Sequence, residues 1–103
     1  MTRAYVLTAA AEADLREVIR YTRRQWGEAQ ARRYAGQLRR GIEALTAGDA
    51  VARDAGDLQP GLRMVRCEHH VIFGLPRVGA PALIVAILHE RMDLTGRVAG
   101  RIG

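Results

Sequence analysis

The sequence predicts an α+β fold of the form β-α-α-β-β-β, an antiparallel sheet meander with an N-terminal helical hairpin packed on one face. Two observations carry it. Between Ala11 and Leu45 apolar residues recur at three-or-four spacing, the period of a helix buried along one stripe. Beyond Gly61 that period gives way to three short apolar runs separated by turn residues, the pattern of successive strands. At 103 residues the chain reads as one domain, 1–103, with no internal repeat.

The elements follow in order. Ala4-Tyr5-Val6-Leu7 is a short strand, and Thr8 is placed to cap a helix by accepting a hydrogen bond from a backbone N–H just inside it. The capping box is incomplete, since Ala11 stands where Glu or Gln would close it, while Glu12 and Asp14 favour the positive end of the helix dipole. Ala11, Leu15, Val18, Ile19, Thr22 and Trp26 form the first stripe; Trp26-Gly27-Glu28 interrupts it. Ala31, Tyr34, Ala35, Leu38, Ile42 and Leu45 form the second, which Gly48 stops. So short a corner forces the helices antiparallel. Glu12 with Arg16 and Glu28 with Arg32 are spaced for weak surface pairs, leaving several arginines of the outer faces unmatched.

Residues 48–61 lack a period and read as an irregular loop with at most a short turn. Leu62 to Cys67, Val71 to Leu75 and Ala82 to Leu88 then form the meander, and the opening strand joins it by a crossover through the helix pair. With helices on one side only, the other sheet face is expected to lie open to water or to a partner.

Composition narrows the chemistry. All 16 basic residues are arginine and the formal charge is +5, a surface suited to an acidic protein segment or to nucleic acid and also the usage a GC-rich genome imposes. Without serine or lysine the chain cannot build a serine triad, a Schiff-base site or a Walker-type phosphate loop. Cys67 is the one cysteine, so no internal disulfide forms, and no segment resembles a signal peptide or a membrane span; a cytoplasmic location is expected. Only 5% of residues are aromatic, so the core rests on smaller aliphatic side chains and modest stability is expected.

Several groups have two readings. Cys67, His69 and His89 could meet as a zinc site, but they lack the usual ligand spacing, and turn histidines beside a half-buried thiol account for them as well; no metal or other cofactor is expected. His89, at the end of an apolar strand, is either a general base or a hydrogen-bonded residue holding the sheet exit. Trp26 is expected to pack under the helix corner, since stacking on a base would need it exposed. Arg63, Arg66 and Arg91 serve either as solvated surface or as partner contacts.

The Leu7-Thr8 start of the first helix, the Trp26-Gly27-Glu28 corner, the Pro60-Gly61-Leu62-Arg63 lead into the sheet and the Leu88-His89-Glu90-Arg91-Met92-Asp93 exit stand in an order and spacing that resemble the ParE branch of the RelE/ParE toxins. That resemblance runs nearly end to end. It implies a growth inhibitor that acts on DNA gyrase without catalysis and is neutralised, as a hetero-oligomer, by a ParD-like antitoxin. It implies no membrane partner and no sequence-specific nucleic-acid binding by the chain alone. Arg63, Arg66, His89, Arg91 and Met92 are the candidates for antitoxin or target contact. The RelE-type alternative, a ribosome-dependent mRNA endoribonuclease, uses basic residues and a late tyrosine or other acid–base group; here no tyrosine follows Tyr34, which leaves His89 and Arg91 for such roles. A degenerate relative that retains only antitoxin binding is the third reading.

Overall fold

In the computed structural model, which describes residues 4–102, β1 (Tyr5–Leu7) leads directly into α1 (Ala9–Trp26). Thr8 stays extended and its Oγ1 accepts from Ala11 N at 3.1 Å, so the expected cap forms without a closing glutamate. Gly27 is the sole residue between α1 and α2 (Glu28–Ala47). Its φ of 91° lies where a β-carbon is strained, which is why the chain reverses at a glycine. At the far end of α2, Gly48 turns left-handed, its N–H bonding Leu45 O while Asp49 N bonds Ala44 O, so two carbonyls of the last turn are satisfied.

The chain continues through β2 (Arg53–Asp54), β3 (Arg63–Cys67), β4 (His70–Leu75), β5 (Ala82–His89) and α3 (Leu94–Ile102). The strands form one sheet in the order β1-β5-β4-β3-β2. The meander is antiparallel as expected, and β1 pairs parallel with β5 after the crossover through the helices. Two elements go beyond the sequence reading. Arg53 and Asp54, within the expected loop, pair with Met64 and Arg63 to extend the sheet. After the sheet exit, Asp93 caps α3 by accepting from Gly96 N at 3.2 Å.

That last helix corrects the expectation of an open sheet face. The α1–α2 hairpin buries Leu38, Ile42 and Leu45 against Val65, Ile72 and Ile87 on one side. On the other side Val98, with Leu94 and Ile102, packs over Val71, Phe73, Val85 and Leu88, and Ala55 from the 48–61 segment together with Leu62, just ahead of β3, completes the cover. The near-continuous hydrophobicity of β5 is explained by burial on both faces within the chain itself.

Strand β5 carries one irregularity that decides which way its end points. Phe73 faces Ala86 and Gly74 faces Ile84, so Val85 is an extra residue. Ile84 and Ile87 face the hairpin while Val85, Ala86 and Leu88 face α3. Strict alternation from Ile84 would have sent His89 to the α3 side; the extra residue turns it toward the hairpin.

The bulge is held by an ion pair. β1 lies beside β5 only as far as Ile84, so the outer edge of the following residues has no strand neighbour. Asp14 of α1 fills the gap, its carboxylate accepting from Ile87 N at 3.0 Å and from both terminal nitrogens of Arg101, one of them at 2.8 Å. Arg101, from α3, also donates to Val85 O at 3.0 Å. Two side chains thus satisfy an otherwise bare strand edge and tie α1 to α3. The hydrogen bond to Asp14 raises the Arg101 pKa further, so the guanidinium stays charged.

Candidate functional site: a histidine-lined cleft at the sheet end

Because β3 and β4 are joined by only Glu68 and His69, and because the bulge turns His89 toward the hairpin, all three histidines gather at one end of the sheet. His70 and His89 are cross-strand partners, their rings edge to face with centroids 5.2 Å apart, and His69 lies parallel to His89 at 6.3 Å. This end meets the α1–α2 corner. Between them opens a cleft of about 400 Å³, walled on the helix side by Tyr21, Trp26, Gln30 and Tyr34 and on the sheet side by the β3–β4 turn and His89.

The polar groups around the cleft are bonded to one another. Tyr34 Oη sits 2.6 Å from His70 Nδ1 and donates to Cys67 O at 3.2 Å. Assigning the Nδ1 proton to His70 satisfies both contacts, the imidazole donating to the hydroxyl and the hydroxyl to the carbonyl. Burial, reinforced by His89 and His69, lowers the His70 pKa to about 4, and burial raises that of Tyr34 to about 12. Both are neutral at physiological pH. His69 donates through Nδ1 to Glu90 at 2.8 Å, and Arg66 pairs with the other oxygen of the same carboxylate. The His69 hydrogen bond and the Arg66 guanidinium hold the Glu90 carboxyl below the usual carboxylate range. His89 Nδ1 accepts from Arg91 N at 3.1 Å, an arrangement that fixes the chain as it leaves the sheet.

The five candidate residues fall into two places. Arg66, His89, Arg91 and Met92 lie at the histidine end of the sheet, Arg66 and Arg91 exposed and Met92 41% exposed. Arg63 lies at the other end of β3, where its guanidinium bonds Ala52 O and anchors the strand that precedes it. Among the described residues no three His, Cys, Asp or Glu side chains converge as a metal site. Cys67 is half-buried, and desolvation together with the Glu68 charge pushes its thiol pKa up, away from thiolate chemistry.

Two features of this region differ from, or escape, the sequence reading. Trp26 does not pack under the corner; it is 72% exposed at the cleft mouth, beside Tyr21 at 60%. Because the corner is a single glycine, α2 departs at once and no residue is left to cover the ring. Tyr34 was legible as a core position but not as a hydrogen-bonding partner of the sheet turn, since that contact spans 36 residues.

The family described as "ParE toxin of type II toxin-antitoxin system, parDE" matches residues 5–94. A protein named Toxin ParE from Escherichia coli is 63% identical over 99 residues, covering 96% of each chain. Toxin ParE1 of Mycobacterium tuberculosis is 31% identical over 94 residues, covering 91% of this chain and 96% of the relative, and Toxin ParE1 of Caulobacter vibrioides is 32% identical over 91 residues, covering 88% and 93%. A solved structure, "Chromosomal ParDE TA system from P. aeruginosa", superposes with a TM-score of 0.67 at 18% identity over 85% of this chain and 96% of that one, a likeness of fold. With three relatives above 30% identity along nearly their whole length, the chain belongs to the ParE toxin family of type II toxin–antitoxin systems.

Proposed function

We propose that this chain is a single-domain cytoplasmic toxin that inhibits growth by binding DNA gyrase, blocks replication through a trapped gyrase–DNA complex, and is held inactive by a ParD-like antitoxin. The observation that carries the reading is the 63% identity with a Toxin ParE over 96% of the chain. Gyrase as target follows from the ParE resemblance. No helix among the described residues is long and apolar enough to cross a membrane.

Binding rather than catalysis accords with the sheet end. His69 Nδ1 is engaged by Glu90, His70 Nδ1 by Tyr34 and His89 Nδ1 by the Arg91 backbone, so the three imidazoles brace the turn and the exit. The antitoxin is a protein with an acidic, amphipathic segment, matched to a surface of charge +5 whose cations are all arginine. Arg66, His89, Arg91 and Met92 at the histidine end, and Arg63 across the sheet, are the proposed contacts for antitoxin or target.

The test is supercoiling by purified gyrase with DNA and ATP alone. Inhibition by the toxin, relieved by antitoxin, is the expected result. Unimpaired supercoiling, together with messenger cleavage in a purified translation mixture, would replace the gyrase reading with a ribosome-dependent nuclease.

A further inference from the structure

The cleft between the helix corner and the β3–β4 turn differs in chemistry from the surface around it. Arginine is 16 of the 103 residues, yet the cleft lining includes none; it includes the one tryptophan and every histidine of the chain. We infer that this cleft receives a cationic side chain, a guanidinium, presented by a protein partner.

Three observations point the same way. Trp26 and Tyr21 leave aromatic surface in water at the mouth, 72% and 60% exposed, in a chain with few aromatics. The faces of such rings carry negative potential and attract cations, the guanidinium most readily. Across the cleft stands Glu68, the sole formally charged residue of the lining, whose carboxylate enters no hydrogen bond or ion pair among the described residues. Glu68 has φ of 51° as the first residue of a two-residue hairpin turn, a position that favours glycine. Glycine would relieve that strain, and the residue that stands there instead brings a carboxylate to the cleft lining. His70, neutral at physiological pH, adds hydrogen-bonding capacity to the floor without opposing charge. In a chain of charge +5 this local reversal of sign sets the cleft apart from the arginine surface proposed to meet an acidic segment. A phosphate is disfavoured by the same carboxylate; a flat uncharged base is the competing occupant.

This inference does not depend on gyrase being the target. Trp26 is the one tryptophan, so its fluorescence reports on the cleft directly. The intact protein is titrated with N-acetyl-arginine amide, with N-acetyl-citrulline amide as an uncharged probe of the same shape, and with uridine. Expected is a saturable change with the arginine probe and about tenfold weaker binding of citrulline, the loss of a cation–π contact and a charged hydrogen bond. Glu68→Gln, at an exposed turn, should weaken the arginine probe about fivefold while leaving the melting temperature within about 2 °C of the parent. Equal binding of arginine and citrulline, no saturable response to arginine, or tighter binding of uridine would overturn the inference. An unchanged arginine affinity in Glu68→Gln would overturn it as well.

Discussion

Replacing Asp14 with alanine should be among the most damaging single changes outside the aliphatic core. The carboxylate accepts one bond from the bare edge of β5 and two from Arg101, and the pair is mostly buried, with side-chain exposures of 15% for Asp14 and 23% for Arg101. Solvent-exposed pairs contribute about 0–1 kcal/mol, whereas breaking a fully buried pair costs about 3–5. At this intermediate depth the loss should be about 2–3 kcal/mol, because Arg101 keeps only Val85 O and Ile87 N–H loses its acceptor. For a chain of this size that is a fall in Tm of roughly 8–24 °C. Asp14→Asn, which can still accept from Ile87 N, should cost less, about 1–2 kcal/mol. Urea melts of Asp14→Ala, Arg101→Ala and the double variant measure the coupling, expected at about 1–2 kcal/mol. Additive losses, or an Asp14→Ala loss below about 0.5 kcal/mol, would refute the claim that this pair secures the strand edge and α3.

The half-buried His70 gives a pH signature. Its folded pKa of about 4 lies below the usual 6.5, so the native state binds fewer protons than the unfolded chain between those values; the stability contributed by neutral His70 is complete above pH 6.5 and lost as pH falls toward 4. After allowance for partial solvent exposure the loss should be about 1–2 kcal/mol, and denaturant midpoints of His70→Gln between pH 7 and 4.5 should fall correspondingly less than the parent's; parallel curves would contradict it. Arg66 already pairs with Glu90 at the surface, so Arg66→Ala should change the stability of the free toxin by less than about 1 kcal/mol, yet should weaken the antitoxin complex by about 2–5 kcal/mol if the guanidinium is buried there. Calorimetric affinities decide this, and losses below 1 kcal/mol at both Arg66 and Arg91 would move the interface to apolar anchors such as Met92.

What could be read from the sequence was what is encoded locally. The Thr8 cap, the Gly27 corner and the Gly48 stop each depend on a residue and its neighbours within a few positions, and each formed as expected. The last helix escaped because Gly96 and Gly100 argue against helix while its support is distant: Asp14 lies 87 residues from Arg101. Asp93 ahead of Leu94, Val98 and Ile102 at four-residue spacing was the available signal. Without that helix one face of the sheet reads as open. Pairing of Arg53 and Asp54 with β3 likewise depends on a neighbour rather than on their own propensity. At the site, Arg66, His89, Arg91 and Met92 are individually legible in the sequence, but the meeting of His89 with Tyr34 and Trp26 in one cleft depends on the bulge at Val85, which no local pattern announces.

A gyrase toxin that traps the enzyme on DNA leaves a countable product. Gyrase, relaxed plasmid and ATP are incubated with increasing toxin, then treated with detergent and protease, and the linear plasmid is measured. Linear DNA should accumulate with toxin, stay at background in gyrase-free controls, and disappear when the antitoxin is added first. Plasmid that is supercoiled normally at saturating toxin, with no linear product, would contradict the proposed function at its root.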